Sequence, residues 1–454
     1  MRSRPNSTPK VTQSTEISGW GRFPRLYGRV ASPTSQDEVA SFARHGRLIA
    51  RGNGRAYGDA AIGSALTLDM CRMNRMLSFD PTTGILVAEA GVILGDIIEA
   101  LLPRGWFPFV TPGTKFVSLG GAIAADVHGK NHHVDGSFSS FVEWVDVLDG
   151  HGELRRCSRT QDPELFAWTL GGMGLTGIIL RAAIRLRPVE SGWITQLTRP
   201  ARNLSAAMDA FEEAQDTTYS VAWIDCLAAG NELGRSLIML GEHAKASEVP
   251  RAFRRRPYAS TPRRRLSVPL DAPGWALNKY TVKAFNALYW SRGRKGPARS
   301  VVDWDSYFYP LDGVLGWNRI YGRKGFVQFQ CALPVAASEA GLTALLRATS
   351  HAGLGSFLAV LKRFGAQDSR ISFPMDGYTL ALDFPASPAA LALLDRLDAI
   401  TLDHGGRFYL AKDARLAPER FHASDPRAAT FREMRQAHGL RDSFASRQSE
   451  RMML

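Results

Sequence analysis

The chain has few cysteines and no long apolar run. Its 454 residues include only four cysteines, and none of them forms a CxxC pair. This pattern is typical of a reducing compartment and argues against a disulfide framework or a zinc site. No stretch reaches the roughly 18 uninterrupted apolar residues of a spanning helix. The polar N-terminus also lacks the apolar core of a secretory signal. We therefore expect a cytoplasmic protein, and the sequence leaves open both peripheral membrane association and a periplasmic location.

Two common phosphate-binding motifs are missing as well. No GxxxxGK[ST] motif occurs, which excludes a P-loop. The fingerprint GxGxxG fails at Tyr57, where its third glycine would stand. Only DAAIGSA separates Gly58 from the next predicted strand, whereas a parallel crossover needs at least about 10 residues. A classical nicotinamide-binding Rossmann turn is therefore not expected here.

Glycine, by contrast, is concentrated in three loops of the N-terminal half. RGNGRAYGDAA (51–61) follows the predicted strand RLIA, and PGTKFVSLGGA (112–122) and GGMGLTG (171–177) come later. Successive backbone amides in such loops can form an anion nest, and Arg51 and Arg55 suit a diphosphate. Each loop alone could be a turn without a ligand. Together they favour one extended phosphate-containing ligand.

Positive charge is the other unusual feature. The formal net charge is +13, and the arginine-rich stretch RAFRRRPYASTPRRR (251–265) contributes much of it. The stretch is interpreted either as a solvated, mobile loop or as a patch for anionic lipid head groups or a lipid-phosphate substrate. No motif that stacks on bases or reads a groove accompanies it, so nucleic acid is not expected.

The pattern along the chain predicts an α+β protein. We expect a disordered tail (1–18), a first domain with the glycine loops (19–190), a second α+β domain (191–405) and a C-terminal segment (406–454) that packs back on the first domain. In the first domain Ser35 is a candidate helix N-cap, and FVEWVDVLDGHGELRRC (141–157) reads as a hairpin that turns at Gly150 and Gly152.

The glycine-rich strings resemble the FAD-binding domain of the vanillyl-alcohol-oxidase superfamily, also called PCMH-type. They are RGNGRAYGD, TPGT with SLGGAIAADVHGKNHH, and ELFAWTLGGMGLTGII. From about Gly19 onward, further strings such as SVAWIDC, PLDGVLGWNRIYG, FVQFQ, LKRFG and YLAKDAR are similar to the decaprenylphosphoryl-ribose 2'-oxidases of that superfamily. The resemblance implies a two-subdomain FAD-binding domain and a substrate domain with an antiparallel sheet.

The resemblance also implies site residues. For FAD they are Ala50, Arg51, Gly52, Asn53, Gly54, Arg55, Ala56, Tyr57, Gly58, Asp59, Ala60, Gly113, Ser118, Leu119, Gly120, Gly121, Ala125, Asp126, Val127, His128, Ile179 and Tyr409. For the substrate they are Lys130, Trp223, Gln328, Gln330, Lys362, Phe364 and Lys412. Arg55 stands where related oxidases carry a histidine bonded to the flavin, so non-covalent FAD is expected.

Lys412 is the first catalytic candidate and Tyr57 the second. Lys412 could hold the reacting hydroxyl or the negative charge that develops on the flavin, or act as a base if desolvated; the alternative is an exposed lysine paired with Asp413. Tyr57 could be a base or orienting group, or it could only pack on the flavin. His128, His132 and His133 cluster without a carboxylate or cysteine at ligand spacing, so no metal is expected.

Several of the other substrate-side residues could instead have a role without substrate contact. Gln328 and Gln330 fall on one face of a strand, where they could bind sugar hydroxyls or face solvent. Trp223 could be core or a sugar-stacking wall, and Lys130 and Lys362 could hold a phosphate. In the resembling enzymes a cysteine stands at Ala381 and a tyrosine at Phe308, which leaves the shape of the pocket open.

The implied activity is FAD-dependent oxidation of the 2'-hydroxyl of polyprenyl-phosphoryl-β-D-ribose to a ketone. This is the first half of an epimerisation to the arabinose donor of cell-envelope arabinan, with a separate NAD(P)H-dependent short-chain reductase for the second half. One alternative is a soluble sugar or alditol oxidase of the same fold that uses oxygen. Another is a flavin-free scaffold that binds polyanions or membranes.

Overall fold

The computed structural model describes residues 11–261 and 266–454, so predictions for 1–10 and 262–265 fall outside the described residues. The strands are β1 (Thr15–Ser18), β2 (Arg25–Gly28), β3 (Val30–Ala31), β4 (Leu48–Arg51), β5 (Leu66–Asp69), β6 (Met76–Asp80), β7 (Ile85–Glu89), β8 (Trp106–Pro108), β9 (Val142–Leu148), β10 (Leu154–Ser158), β11 (Ile178–Pro188), β12 (Trp193–Ala201), β13 (Tyr219–Ile224), β14 (Ser236–His243), β15 (Leu266–Ser267), β16 (Arg299–Asp303), β17 (Val314–Leu315), β18 (Phe326–Pro334), β19 (Val360–Phe364), β20 (Gly377–Pro385) and β21 (Arg407–Phe408). The helices are α1 (Gln36–Arg44), α2 (Leu94–Leu101), α3 (Leu119–Ala124), α4 (His132–Asp135), α5 (Pro163–Thr169), α6 (Leu204–Glu212), α7 (Lys279–Lys295), α8 (Trp304–Phe308), α9 (Val335–Ala352), α10 (Pro388–Asp403), α11 (Pro418–Ser424), α12 (Arg427–Ala437), α13 (Leu440–Ser443) and α14 (Arg447–Arg451).

The described N-terminal half contains a two-stranded sheet of β1 and β2 and two larger sheets. A small parallel sheet has the order β3-β5-β4, and an antiparallel sheet has the order β10-β9-β11-β7-β6 with β8 added on β11. The side chain of Ser35 accepts a hydrogen bond from the Glu38 amide and caps α1, as predicted. The predicted hairpin is also confirmed, because β9 and β10 pair in antiparallel register from Leu148 with Leu154.

The connection between β4 and β5 differs in one respect from the sequence prediction. The two strands are parallel neighbours, so the chain does cross over between them. The crossover starts at Gly52 rather than at Gly58, which gives it enough length to return in the parallel direction. It contains no helix. The glycine loop therefore contributes backbone amides, not a helix N-terminus, to whatever it binds.

The second half is built on one eight-stranded antiparallel sheet with the order β16-β12-β14-β13-β19-β20-β18-β21. Apolar side chains that alternate along β18, including Val327 and Phe329, pack into a core with leucines of α9 and α10. This alternation turns Gln328 and Gln330 to the opposite face. The predicted α+β class and antiparallel substrate-domain sheet are confirmed.

Two parts of the predicted organisation can be compared with the structure. Thr15–Ser18, placed in the disordered tail, forms a strand because it pairs along its whole length with β2. The part of the basic stretch before residue 262 includes Tyr258, whose hydroxyl donates to the carbonyl of Val189 at 3.3 Å. The domain boundaries at 190 and 405 and the mobility of the basic stretch stay predictions.

The C-terminal segment contacts the N-terminal half at several points. Phe444 forms an isolated parallel bridge with Leu48. Arg451 of α14 forms ion pairs with Asp59 at 2.7 Å and with Asp413 at 2.8 Å. These contacts fasten the end of the first glycine loop to the segment that carries Lys412.

Candidate active site

A cavity of about 840 Å³ lies between the glycine loops and the face of the large sheet that carries the two glutamines. Its volume is near the upper end of the range for small-molecule and cofactor sites. Residues of all three glycine loops line it, among them Gly54, Gly121 and Gly174. The loops that the sequence singled out therefore surround one shared space.

The first glycine loop is held by its own side chains. The Arg51 guanidinium donates to the carbonyl of Ser18 at 2.8 Å, and the Asn53 amide donates to the carbonyl of Phe116 at 2.8 Å. A Cβ on Gly52 would stand 1.8 Å from Ser118 Oγ, so only glycine fits at this approach of the first loop to the second. Gly54 has a φ of +62°, a left-handed conformation that favours glycine.

The first glycine loop has donors without a hydrogen-bond partner among the described residues. Residues 53–56 line the space, and among the described residues no acceptor is found for their backbone amides. Arg55 lies in the same stretch, with its guanidinium carbon 4.1 Å from the ring centre of Trp20. Its Nε is buried and lacks a hydrogen-bond partner in the described part of the chain. Such unsatisfied donors are expected where an anionic ligand belongs.

These donors fit FAD. A diphosphate would accept hydrogen bonds from the backbone amides of residues 53–56 and from Arg55, which line the cavity. His128 lines the same cavity, and its Nδ1 is buried without a described partner. Burial lowers the pKa of His128 well below its usual range, so its imidazole is neutral at physiological pH.

Most of the predicted cofactor residues line the cavity. They are Ala50, Arg51, Gly52, Asn53, Gly54, Arg55, Ala56, Tyr57, Ala60, Gly113, Ser118, Gly120, Gly121, Ala125, Val127, His128, Ile179 and Tyr409. Gly58 packs on the backbone of Asp413, and Asp59 pairs with Arg451 instead. Leu119 is fully buried in the core, and Asp126 accepts hydrogen bonds from Ser137 and Gln367. These last four residues are not among those that line the cavity.

At the end of the cavity that carries the two glutamines, Lys412 lies beside Tyr57, with its Nζ 3.7 Å from the ring centre. The alternative pairing with Asp413 is wrong, because Asp413 is engaged by Arg451. Burial lowers the pKa of Lys412, and the nearby Asp383 opposes this shift. The pKa of Tyr57 is raised well above its usual value by burial and by Asp383, so the phenol stays protonated. Tyr57 is therefore suited to donate a hydrogen bond and not to act as a base.

Two further lysines line the same end. Burial lowers the pKa of Lys130 to about 7 and that of Lys362 to about 8. The Lys130 ammonium donates to the carbonyl of Tyr307 and lies 4.0 Å from the centre of that ring. Desolvated ammonium groups are stabilised most when an anion such as a phosphate lies between them.

The glutamines face the cavity and are already oriented by neighbours. Gln330 Nε2 lies 3.1 Å from His128 Nε2 and 3.2 Å from Thr379 Oγ1. The Gln328 amide donates to the carboxylate of Asp383. Both glutamines line the cavity, so the solvent-facing alternative does not apply.

Trp223 and Phe364 have different positions. Trp223 is buried and also lines the cavity, with its indole donating to the carbonyl of Phe357 at 3.2 Å. Phe364 does not reach the cavity; it packs edge-on against His128 with the ring centres 4.8 Å apart. Its contribution is to position the histidine. Phe308 and Ala381, the two departures from the resembling enzymes, line the cavity as well.

The histidines near this end have separate partners. His132 Nε2 lies 2.7 Å from Gln367 Oε1, and His133 Nε2 lies 2.9 Å from the carbonyl of Thr217. Within the described ranges, no group of three or more histidine, cysteine or acidic side chains is arranged to hold a metal.

Sequence reasoning missed two acidic residues at the site. Asp383 lines the cavity opposite Gln328 in the register of β20 and β18. The signal was a single carboxylate inside the apolar run YTLALDFP, which is costly to bury unless it has partners. Asp312 also lines the cavity and accepts from the amide of Lys115 at 2.8 Å. No sequence spacing relates Asp312 to the second glycine loop, so only the fold brings them together.

Comparison with known proteins agrees with the fold and the cavity. Residues 28–158 match the model of an FAD-binding domain family. A decaprenylphosphoryl-β-D-ribose oxidase of Mycolicibacterium smegmatis is 36% identical over 99% of this chain and 100% of its own length. An uncharacterised Streptomyces coelicolor protein is 33% identical over 80% of this chain and its own full length. Cytokinin dehydrogenase 4 of Arabidopsis thaliana is 28% identical over 43% of this chain and 40% of its own.

The fold, the cavity and the FAD-binding domain match define an FAD-dependent oxidoreductase. Full-length similarity then narrows the class. The chain belongs to the decaprenylphosphoryl-β-D-ribose oxidase family.

Proposed function

We propose that this enzyme oxidises the 2'-hydroxyl of a polyprenyl-phosphate-linked β-D-ribose to the ketone. The observation that carries the proposal is the trio of half-buried lysines, Lys130, Lys362 and Lys412, that line the cavity together with the two glutamines. A sugar phosphate offers both the anion that desolvated ammonium groups bind and the hydroxyls that glutamine amides bind. The similarity to a relative named for a lipid-linked ribose supports the same choice.

The residues of the site have separate roles in this reaction. FAD, when bound, supplies the two-electron chemistry by accepting a hydride from the alcohol carbon. Lys130 and Lys362 hold the phosphate of the substrate, and Gln330 orients a sugar hydroxyl through its amide. Lys412 binds the reacting oxygen and favours its loss of a proton, because a cation stabilises the developing alkoxide.

Asp383 completes this arrangement as the counter-charge of Lys412. Its own pKa is raised by burial, while the Gln328 amide and Lys412 favour the ionised form. The pair of a buried ammonium and a buried carboxylate can take up the hydroxyl proton without exposing it to solvent. Tyr57, protonated, keeps the ammonium in place through its ring.

A soluble sugar or alditol oxidase that uses oxygen is the alternative, and it is not favoured. Free alditols carry no phosphate, so they would leave the lysine trio without a counter-ion. The other alternative, a flavin-free scaffold, is not favoured either, because the unused amides and Arg55 of the first loop are suited to a diphosphate.

The decisive experiment compares substrates under anaerobic conditions. Holoenzyme is mixed with polyprenyl-phosphoryl-β-D-ribose, free ribose or free alditols, and bleaching of the flavin absorbance is followed. We expect only the lipid-linked sugar to bleach it. Reduction by alditols alone would overturn the proposal, and a purified protein that takes up no FAD would support the scaffold.

We further propose a redox partner and a location. The keto sugar is more oxidised than an arabinose product by two electrons, so a second enzyme must return a hydride; an NAD(P)H-dependent short-chain reductase has the required chemistry. No helix in the described ranges is long and apolar enough to cross a membrane. Peripheral contact with the lipid surface is therefore our proposal for how the prenyl-anchored substrate is reached.

A further inference from the structure

Several large apolar side chains face solvent within one continuous segment next to the cavity. Leu270 is 75% exposed, Trp275 76% and Tyr280 81%, and Leu266 and Leu288 are more than half exposed. We call these five residues the apolar patch. Exposed apolar residues are ordinary when they are scattered, but a concentration of this kind marks an interaction surface.

Helix α7 (Lys279–Lys295) carries part of this patch and packs on the rest of the protein through few buried residues. Of its residues only Val282 and Asn286 are buried. The Asn286 amide donates to the Asp225 carboxylate at 2.7 Å. The side of the helix away from these two residues therefore faces solvent while the helix keeps its position.

The same helix forms the opening of the cavity. Phe285 and Tyr289 line the cavity, although they are 42% and 38% exposed. Tyr289 packs on Trp223 with the ring centres 4.8 Å apart, and Phe285 packs on Phe357 at 5.8 Å. A chain that leaves the cavity past these rings would run directly onto the outer face of α7.

Basic side chains accompany the apolar ones. Lys279, Lys283, Arg292, Arg294 and Lys295 all lie on α7, and none of them pairs with a carboxylate of the described residues. Aromatic and apolar side chains combined with lysine and arginine are typical of elements that lie in the interface of an anionic bilayer. A protein partner would instead be expected to supply carboxylates to the cations and a dry pocket to Trp275.

We propose that α7 and the apolar patch dock the enzyme on an anionic lipid bilayer, with the cavity opening held against the head groups. This docking proposal deepens the proposed function and rests on it for one point only. A lipid-linked substrate is the reason to expect a lipid bilayer, and not another partner, on the apolar patch. The exposed face, the free cations and the continuity with the cavity opening stand without it.

Sedimentation with vesicles tests the proposal without any substrate. The full-length holoenzyme is mixed with vesicles of phosphatidylcholine alone or with equal parts of phosphatidylglycerol. Two double variants are compared, Trp275→Ser with Tyr280→Ser and Lys283→Glu with Arg292→Glu. The control is Leu77→Ser, since Leu77 is 43% exposed on β6, outside the patch. FAD content and thermal unfolding are measured for each variant to confirm that it is folded.

We expect the protein to sediment with the anionic vesicles and each double variant to partition about tenfold less. The Leu77 variant should behave as the parent. The proposal is overturned if the parent stays in solution with anionic vesicles, or if the folded variants bind as it does. It is equally overturned if the patch instead mediates a concentration-dependent dimer that the aromatic variant abolishes.

Flavin reduction separates this result from the proposed function. With a detergent-dispersed short-prenyl substrate, both double variants should reduce their flavin at the parent rate, and with vesicle-embedded substrate they should be slower. Failure of vesicle binding beside normal reduction by the dispersed substrate would remove the docking proposal only. Normal vesicle binding without reduction by any ribosyl lipid would remove the proposed function only.

Discussion

The ammonium of Lys412 lies 3.7 Å from the ring centre of Tyr57, while Asp413, its neighbour in sequence, pairs with Arg451. The aromatic face and the buried carboxylate of Asp383 thus take the place of an ordinary surface ion pair. This arrangement keeps a cation inside the cavity with a proton acceptor close by. It is the basis of the first two predictions.

Lys412→Ala should abolish most of the activity without loss of FAD. Removing a single group that stabilises developing negative charge costs roughly 100- to 1,000-fold in rate. The measurement is the rate of anaerobic flavin reduction by the ribosyl lipid. Lys324→Ala, at an exposed position, is the control. A Lys412 variant that reduces its flavin at the parent rate would rule out this role.

Asp383→Asn should slow flavin reduction, because the proton acceptor is lost, and should move the alkaline limb of the pH profile to lower pH. Burial lowers the pKa of Lys412, and the Asp383 carboxylate raises it. Removing the carboxylate leaves only the lowering effect, so the ammonium loses its proton at a lower pH and activity is lost earlier as the pH rises. The profile of kcat/KM against pH measures this. Asp395→Asn, at an exposed carboxylate, should leave the limb in place.

The flavin should be released by acid. Arg55 lies in the first glycine loop and packs on Trp20, and a guanidinium cannot form the bond to flavin that a histidine forms. Precipitation of the holoenzyme with acid should therefore leave all of the yellow chromophore in the supernatant. Arg55→Ala should weaken FAD binding about tenfold, because one charge-assisted contact is lost. Flavin that stays with the precipitate would contradict the prediction.

Gly52→Ala should disrupt the cofactor site. The added Cβ would stand 1.8 Å from Ser118 Oγ, so the first two glycine loops must separate. Overpacking of this kind lowers the free energy of unfolding by about 1–3 kcal/mol, and FAD content per protein should fall. Gly274→Ala is the matched control, since its Cβ meets nothing within 4 Å. Full FAD occupancy in the Gly52 variant would show that the loops do not need this contact.

Ala381→Cys should create a thiol that a maleimide alkylates rapidly inside the cavity. Ala381 lines the cavity, whereas burial raises the pKa of all four native cysteines to about 12 and makes their thiols slow to react. Mass spectrometry after brief maleimide treatment should show one rapid modification in the variant and none in the parent. A Cys71→Ser background removes the half-exposed native thiol. Equal labelling of parent and variant would place Ala381 away from the accessible cavity.

The glycine loops could be predicted because their role depends on local backbone chemistry. Gly52 and Gly54 are visible in sequence, and the structure requires glycine at both for reasons of contact and φ. The absence of a helix after the first loop followed from the short spacing to the next strand. The parallel direction of that strand could not be predicted, since it depends on pairing between β4 and β5 and not on the loop alone.

The polar end of the cavity was predicted only in part. Gln328 and Gln330 share a face because of strand periodicity, and that much follows from sequence. Asp383, the partner of Gln328, comes from a strand more than fifty positions later, and its role depends on the register of β18 against β20. The position of Lys412 likewise depends on contacts far apart in sequence, because Arg451 pairs with Asp413 and the Lys412 ammonium lies against the ring of Tyr57 instead.

The ion pair between Asp59 and Arg451 spans 392 positions of the chain. Asp59 belongs to the first glycine loop, which a ribosome completes long before it reaches Arg451. Until α14 has been synthesised, the carboxylates of Asp59 and Asp413 lack the cation that pairs with both of them in the folded protein. The first glycine loop therefore gains this charged contact only after 392 further positions have been translated.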